Sequence, residues 1–297
     1  MPRKGTTTKD FGVSKREGHD ASTFYRRQMY SEKTAEDSSG PIVSVPAQAR
    51  DLIIQGDSRR MEELPDNCIA LAVTSPPYNV GKQYDEDLSL PEYLQLLKDV
   101  FAETLRVLQP GGRLAINVAN LGRKPYIPLH SYITHDMLEL GYLMRGEIIW
   151  NKAASSGGSC AWGSWMSASN PTLRDVHEYI LVFSKAGYKR DARDRENTIE
   201  RDEFLTFTKS IWDFPTESAR KIGHPAPFPV ELPRRLIQLY TFRGDTVLDP
   251  FCGSGTTCLA AAGNDRHYVG YDIDAGYVKL AEQRLLQEAR QRESRLF

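Results

Sequence analysis

The chain has 297 residues, with 38 Lys+Arg against 39 Asp+Glu and a formal net charge of −1. That balance excludes a polycation held to nucleic acid by bulk charge, although it leaves room for a local basic groove. No run approaches the roughly 18 consecutive apolar residues of a membrane span, and the opening MPRKGTTTKDFG has no apolar signal region.

Residues 1–45 are polar, with little periodicity. They read as a loosely attached arm, in which Phe24-Tyr25-Arg26-Arg27 is a candidate contact with a nucleic-acid backbone. From Asp51 the texture changes. Asp51–Gln55 predicts a short apolar strand ending at Gly56-Asp57, and Cys68–Val73 a buried strand running into Thr74-Ser75-Pro76-Pro77-Tyr78. Ser89 and Glu92 form a capping box at the head of a helix carried by Leu94, Leu97, Phe101, Leu105 and Leu108, which Pro110-Gly111-Gly112 should stop. Strands follow at 113–118 and 146–150, with a helix over 127–140 between them. This alternation predicts a parallel sheet with covering helices. The loop Ala153–Asp175 is rich in Gly and Ser and carries Trp162 and Trp165; it is too long for an idle connection. After an apolar run at 178–183, residues 186–221 have mixed charge and read as an insertion outside the main sheet. A helix over 232–240, a strand at 246–249, a glycine loop opening a helix, a strand at 267–272 and a helix over 275–290 complete the chain.

None of the four cysteines, Cys68, Cys160, Cys252 and Cys258, forms a CxxC pair, so neither a zinc site nor a disulfide framework is expected. No other metal site is expected either.

The glycine loop Asp249-Pro250-Phe251-Cys252-Gly253-Ser254-Gly255-Thr256 joins a strand to a helix, where glycine lets backbone approach a ligand closely. Asp272 ends the next strand, the position from which a carboxylate can accept from a ribose diol. Cys258 stands where a dinucleotide fingerprint needs its third glycine, and no Lys follows to make a phosphate cradle. Asp249 aims an acid into the pocket, which suits a cationic ligand better than a pyrophosphate. S-adenosylmethionine has a ribose diol, an ammonium and a sulfonium; a nicotinamide or flavin dinucleotide, or a glycine turn with no ligand, are the alternatives.

Prolines 76 and 77 stiffen the other loop and remove two N–H donors. What remains are the Ser75 hydroxyl, the Pro76 carbonyl and the aromatic face of Tyr78. The exocyclic amine of cytosine or adenine is a poor nucleophile because its lone pair is delocalised into the ring. Two rigid acceptors gripping its hydrogens favour a pyramidal nitrogen and point the lone pair at an electrophile. Tyr78 could stack on a base swung out of the duplex. A tight proline turn with an incidental tyrosine is the alternative.

Ser75-Pro-Pro-Tyr78 together with Asp249-Pro-Phe-Cys-Gly-Ser-Gly255 resembles the DNA amino-methyltransferases of restriction–modification systems. The catalytic loop precedes the cofactor loop, as in their circularly permuted β group. The resemblance covers about 50–150 and 222–290. It implies an α/β, Rossmann-like S-adenosylmethionine-dependent methyltransferase fold: a mostly parallel twisted sheet with a terminal antiparallel strand. Catalysis falls to Ser75, Pro76, Pro77 and Tyr78. Asp249, Phe251, Gly253, Gly255 and Thr256 belong to the cofactor loop, with Asp272 on the ribose hydroxyls and Asp57 near the adenine. His224-Pro-Ala-Pro-Phe228 closes over the methionine end. Serine at the head of the catalytic loop is mostly found in cytosine-N4 enzymes and Asp or Asn in adenine-N6 enzymes, and Asn79, Gly81 and Tyr84 continue an N4-type pattern. Cytosine N4 in duplex DNA is therefore the expected target, after base flipping, with adenine N6 the alternative and a catalytically inactive DNA-binding regulator the alternative of another class. Cys252 is expected to pack rather than act as a carbon-5 nucleophile.

Residues 113–190 hold nine Lys/Arg and five acids, a surplus of four, and are the expected basic surface for DNA. The expected organisation is an arm (1–45) and one catalytic domain (46–297), with residues about 186–221 reading sequence and loop 153–175 closing on the flipped base. A cytoplasmic, nucleoid-associated enzyme is expected. It would be a monomer or homodimer, with a cognate restriction endonuclease as a companion acting on the same site.

Overall fold

The computed structural model describes residues 6–7, 19–20, 26–30, 40–78, 88–122, 124–152, 163–217 and 228–295. The chain separates into two units, Met1–Asp37 and Ser38–Phe297. In the first, Thr6–Thr7 pairs in parallel with His19–Asp20, and a 3-10 turn covers Gln28–Tyr30. Phe24 and Tyr25 lie outside the described residues.

The second unit is built from β1 (Leu52–Gln55), β2 (Ile69–Thr74), α1 (Leu90–Val107), β3 (Leu108–Val118), α2 (Leu129–Glu139), β4 (Leu143–Asn151), β5 (His177–Ser184), α3 (Arg201–Phe207), β6 (Ile211–Asp213), α4 (Glu231–Tyr240), β7 (Thr246–Asp249), α5 (Thr256–Gly263), β8 (His267–Asp272) and α6 (Ala275–Arg295). The strands form one sheet in the order β6-β4-β5-β3-β2-β7-β8-β1. All neighbours are parallel except β5, which runs against both β3 and β4. This is the expected α/β architecture. The antiparallel strand lies inside the sheet, because β4 and β6 pair beyond it.

Each helix buries an apolar stripe against one face. Leu97 and Phe101 of α1 and Ile133 and Met137 of α2 pack with Ile69, Leu114, Ile116 and Leu248. On the opposite face Leu232, Leu236 and Ile237 of α4 and Ala260 and Ala261 of α5 pack with Leu71, Val73, Ala115, Ile180 and Val247. The capping box of α1 is present: the Ser89 N–H donates to Glu92 Oε2 at 2.8 Å and the Glu92 N–H to Ser89 Oγ at 3.5 Å. The helix stops at Val107, earlier than Pro110, because Leu108 is already extended and paired with Ile69. Pro110-Gly111-Gly112 instead bulges out of β3, and the pairing resumes at Leu71↔Arg113. Gly111 has φ +72°, and a Cβ there would lie 2.1 Å from the Lys189 carbonyl, so the bulge admits only glycine.

That contact bears on the segment after β5. The described part of 186–221, residues 186–217, is not outside the sheet: β6 extends its edge by pairing with β4, and Phe207 and Trp212 enter the core. The approach to β6 is pinned by charge. Arg190 and Arg195 both bind Asp245, at 2.7 and 2.8 Å, and the Arg190 and Asp245 side chains are 7% and 4% exposed. A three-residue strand inside a charged segment has no periodicity to betray it.

Asp245→Ala would leave Arg190 buried without its counter-ion. Breaking such a pair from one side costs about 3–5 kcal/mol, so the variant should unfold at markedly lower denaturant, read by circular dichroism. Asp191→Ala, on an exposed pair with Arg193, should change stability little.

Candidate active site at the β2–β7 crevice

Strands β2 and β7 are neighbours, Val247 opposite Leu71 and Leu248 opposite Ala72. The helices that follow them cover opposite faces, α1 one side and α5 the other. Their exit loops therefore part, and open sheets take ligands in the crevice so formed beyond the carboxyl ends of the strands. Both sequence-predicted loops leave from here. Thr74 Oγ1 donates to Asp249 Oδ1 at 2.7 Å, and Thr257 Oγ1 donates to the Val73 carbonyl at 3.2 Å.

Asp249 is 1% exposed. Burial pushes its carboxyl up to about 6, opposed by hydrogen bonds from Thr74 and the Phe251 N–H and by the nearby Thr257 hydroxyl. No cation among the described residues forms an ion pair with it. A buried carboxylate without a counter-ion is a poor structural element and a good receptor for a positively charged ligand. Asp272, at the end of β8, accepts from the Gly253 N–H at 2.8 Å and the Asp274 N–H at 2.9 Å, and burial raises its pKa as well. Two carboxyl groups thus flank the glycine loop, and the backbone aims one of them.

Gly253 has φ +49°. Gly255 has φ +77°, and its would-be Cβ meets Ala281 Cβ of α6 at 2.8 Å, so this glycine serves helix packing as well as the turn. Thr256, the first residue of α5, is buried, and its hydroxyl accepts from Arg284 Nη1, which also binds the Ser254 carbonyl. Arg284 is a strut for the loop that the sequence did not single out; its basic position in a late helix resembles any surface arginine. Phe251 packs edge-on against Phe101, with ring centroids 6.4 Å apart. Cys252 and Cys258 are buried with sulfurs 3.8 Å apart, as free thiols. Cys160 lies outside the described residues.

Asp57 is brought beside Asp272, since the Gly56 N–H donates to the Asp272 carbonyl at 3.0 Å. Its carboxylate is exposed and held by Arg59 at 2.6 Å, which lowers its pKa, and it borders a cavity of about 900 Å³. Phe228 is half-buried against the α4–α5 face of the core. His224, Asn79, Gly81 and Tyr84 lie outside the described residues.

In the other loop Pro76 is buried and Ser75, Pro77 and Tyr78 are half-buried. The Ser75 and Tyr78 hydroxyls are 3.3 Å apart. Burial raises the Tyr78 pKa well above the usual phenol range, with Glu178 adding to the rise and the Ala119 amide opposing it. The phenol is therefore neutral, and its ring packs on the α1 face of the core. Beside this loop stand polar residues that sequence reading passed over. Asn117 Nδ2 donates to Glu178 Oε2 at 2.5 Å, and Lys152 pairs with the other oxygen of Glu178. The one signal in the sequence was an Asn inside an otherwise apolar strand.

The basic surplus of 113–190 does not form the expected surface as counted. Arg113 and Arg190 are buried, Lys185 is half-buried on Asn67 and the Arg106 carbonyl, and Lys152 is paired with Glu178. Charge counts do not distinguish a strut from a surface cation. Within loop 153–175, residues 153–162 (Trp162 among them) lie outside the described residues. Gly163 bridges to Pro171, and Trp165 and Met166 are 71% and 89% exposed.

Residues 69–283 match the N6/N4 DNA methylase family. The Type II methyltransferase M.MjaI of Methanocaldococcus jannaschii is 30% identical over 289 residues, covering 82% of this chain and 94% of that protein. The Thermus thermophilus protein TTHA0409, solved with S-adenosyl-L-methionine, superposes with a TM-score of 0.64 at 31% identity, covering 80% of this chain and 95% of that one. The cytosine-N4-specific PvuII DNA methyltransferase shares the fold, with a TM-score of 0.63 at 20% identity over 77% of this chain and 84% of that one.

The raised pKa of Asp249 generates a paired prediction. A buried acid whose folded pKa lies above its unfolded value adds stability at low pH, and that stability is lost as pH rises through the folded value. From 3.8 to about 6, the ionised form costs roughly 3 kcal/mol by linkage. Asp249→Asn should therefore raise the melting temperature of the cofactor-free protein at pH 8, and much less at pH 4. The same variant should lose cofactor affinity. In the unaltered protein, affinity should fall as pH drops below about 6, measured by calorimetry.

Proposed function

The chain belongs to the N6/N4 DNA methylase family, and on that premise we propose that it methylates the N4 amine of cytosine in duplex DNA, held at Ser75–Tyr78 after the base has swung out of the helix. Methyl transfer from S-adenosylmethionine to DNA is the activity of the family; the base and the residue roles are our reading. One observation carries it. The Thr74–Asp249 hydrogen bond of 2.7 Å sets Ser75 one residue from the strand end that carries the buried, cation-seeking carboxylate. Acceptor loop and cofactor loop therefore share one crevice.

The residues fit the cofactor on their chemistry. Asp249 is a buried acid with no counter-ion among the described residues, and Asp272 is a carboxyl oriented by two backbone N–H groups, suited to a cationic group and a diol respectively. Asp57, set beside Asp272 by the Gly56 N–H, is assigned to the adenine end, and closure over the methionine end is assigned to His224–Phe228, of which Phe228 alone is among the described residues. When bound, the cofactor supplies an electrophilic methyl on a sulfonium. The protein's part is to grip the amine. The Pro76 carbonyl cannot move, since Pro77 fixes the backbone on either side of it. The Ser75 hydroxyl can accept from the amine and donate to the cytosine ring nitrogen, which a carboxylate cannot do at once. Together they hold the nitrogen lone pair toward the methyl, and a neutral Tyr78 offers its ring to the base. The methylated nitrogen is cationic and strongly acidic, so its proton leaves without a dedicated base. For recognition, the exposed Trp165–Met166 turn is the candidate among the described residues of loop 153–175 to meet DNA. The stretch 186–213 is committed to the fold and is a weaker candidate.

The test is methylation of unmodified bulk DNA with labelled cofactor, followed by mass spectrometry of the nucleosides. N4-methyldeoxycytidine is expected. N6-methyldeoxyadenosine would overturn the base assignment, and no incorporation would overturn the reading altogether. Ser75→Ala should lower kcat about 100-fold, the cost of removing one preorganised donor or acceptor, with cofactor affinity unchanged.

A further inference from the structure

The register of the sheet places more than the two loops at this edge. Val73 pairs with Ala115 and Thr74 with Ile116, so Ser75, one residue on, comes level with Asn117. Asn117 pairs with Ile180 and Glu178 with Trp150, two strands further along. Side chains alternate along a strand. Val73, Ala115, Ile180 and Trp150 share one core face, so Ser75, Asn117, Glu178 and Lys152 form a polar row on that face at its carboxyl end.

The row has a direction. Lys152 holds one oxygen of Glu178, and the other accepts from Asn117 Nδ2 at 2.5 Å. A carboxylate accepts only, so it fixes the amide with its nitrogen toward Glu178 and its carbonyl oxygen away. That oxygen, Asn117 Oδ1, is buried and has no hydrogen-bond partner among the described residues, in a residue 2% exposed. Leaving a buried acceptor unpaired is unfavourable and calls for a reason. An exocyclic amine is a group that brings donors and no in-plane acceptor.

We propose that Asn117 Oδ1 is an acceptor for the target amine, paired with the Pro76 carbonyl, and that Glu178 and Lys152 are positioning residues that aim it. The assignment rests on the reading that a flipped base reaches Ser75. With one N–H on Pro76 and the other on Asn117, Asn117 takes over the accepting role given above to Ser75, whose hydroxyl is left to donate to the ring nitrogen. Tyr78 closes this edge, its hydroxyl against Ser75 Oγ and the Ala119 amide. The consequence is discrimination: a base with a carbonyl in place of the amine would set oxygen against two fixed oxygens.

The experiment uses the full chain with a non-reactive cofactor analogue and duplexes whose target base faces an abasic site, so that pairing strength drops out. Affinity is compared for cytosine and uracil at the target position, and single-turnover methylation is measured for cytosine. Asn117→Ala should reduce the preference for cytosine about five- to tenfold and slow methylation about 10–100-fold, with cofactor affinity within twofold. Glu178→Leu keeps Asn117 but releases its amide, and it should lose the preference as well. A structural role alone would lower stability without moving the cytosine-to-uracil ratio. Either variant, folded and with the wild-type ratio, overturns the proposal. If wild-type protein methylates adenine instead, the cytosine reading fails separately, and Asn117 is judged by the same ratio for adenine against hypoxanthine.

Discussion

The hydrogen bond between Thr74 and Asp249 joins strands 175 residues apart in the chain, and the arrangement of the crevice depends on it. Two parallel strands must lie side by side for it to form, with their helices on opposite faces so that the loops beyond them diverge. The bond also keeps a carboxylate inside the sheet where burial works against it. Thr74, Thr257 and the Phe251 amide offset part of that cost and leave the rest. The molecule thus carries an unfavourable group at the centre of its most ordered region. A cationic ligand relieves it, so stability forgone in the free protein becomes affinity in the complex.

Chain order and spatial order differ because of this pairing. The first strand of the sheet, β1, lies at one edge against β8, the last, while β2 and β7 meet in the middle. Which strand sits beside which is not written in local periodicity. The elements themselves were legible: the capping box of α1, the apolar run of β2 and the strand–glycine–helix passage at 246–263 are local signals. The misreadings share a cause. Pro110-Gly111-Gly112 looks like a helix stop but is a strand bulge, because tertiary pairing with Ile69 had already ended the helix. Strand β6 is three residues long and hidden in charge, and only its partner β4 makes it a strand.

Composition misled in one further way. Counting bases over 113–190 presumes that each is a surface charge, but arginine here is largely a building material. Arg190 and Arg195 converge on Asp245. Arg266 binds Thr241, Thr198 and two backbone carbonyls. Arg235 lies over the rings of Phe207, Trp212 and Phe214 at 4.9, 5.3 and 4.6 Å. The planar, always-charged guanidinium suits bidentate pairing and stacking, and these interactions fasten α3 and β6 to the sheet. A net charge near zero therefore says little about the field that DNA would meet.

The proposed site is weakly basic in the chemical sense, and this suits the reaction proposed for it. An amine nitrogen that attacks a methyl becomes acidic only after the bond has formed, so a strong base at Ser75 would have nothing to remove beforehand. What the nitrogen needs first is loss of conjugation with its ring, and neutral acceptors held rigidly do that without attracting a proton themselves. Ser75, the Pro76 carbonyl and a phenol kept neutral by burial are such groups. The carboxylates are spent elsewhere: Asp249 and Asp272 beside the glycine loop, Glu178 between Lys152 and Asn117. On the proposed reading, charge is thereby kept off the amine and placed where a cation or an amide is to be held. That separation follows from which residue ends each strand.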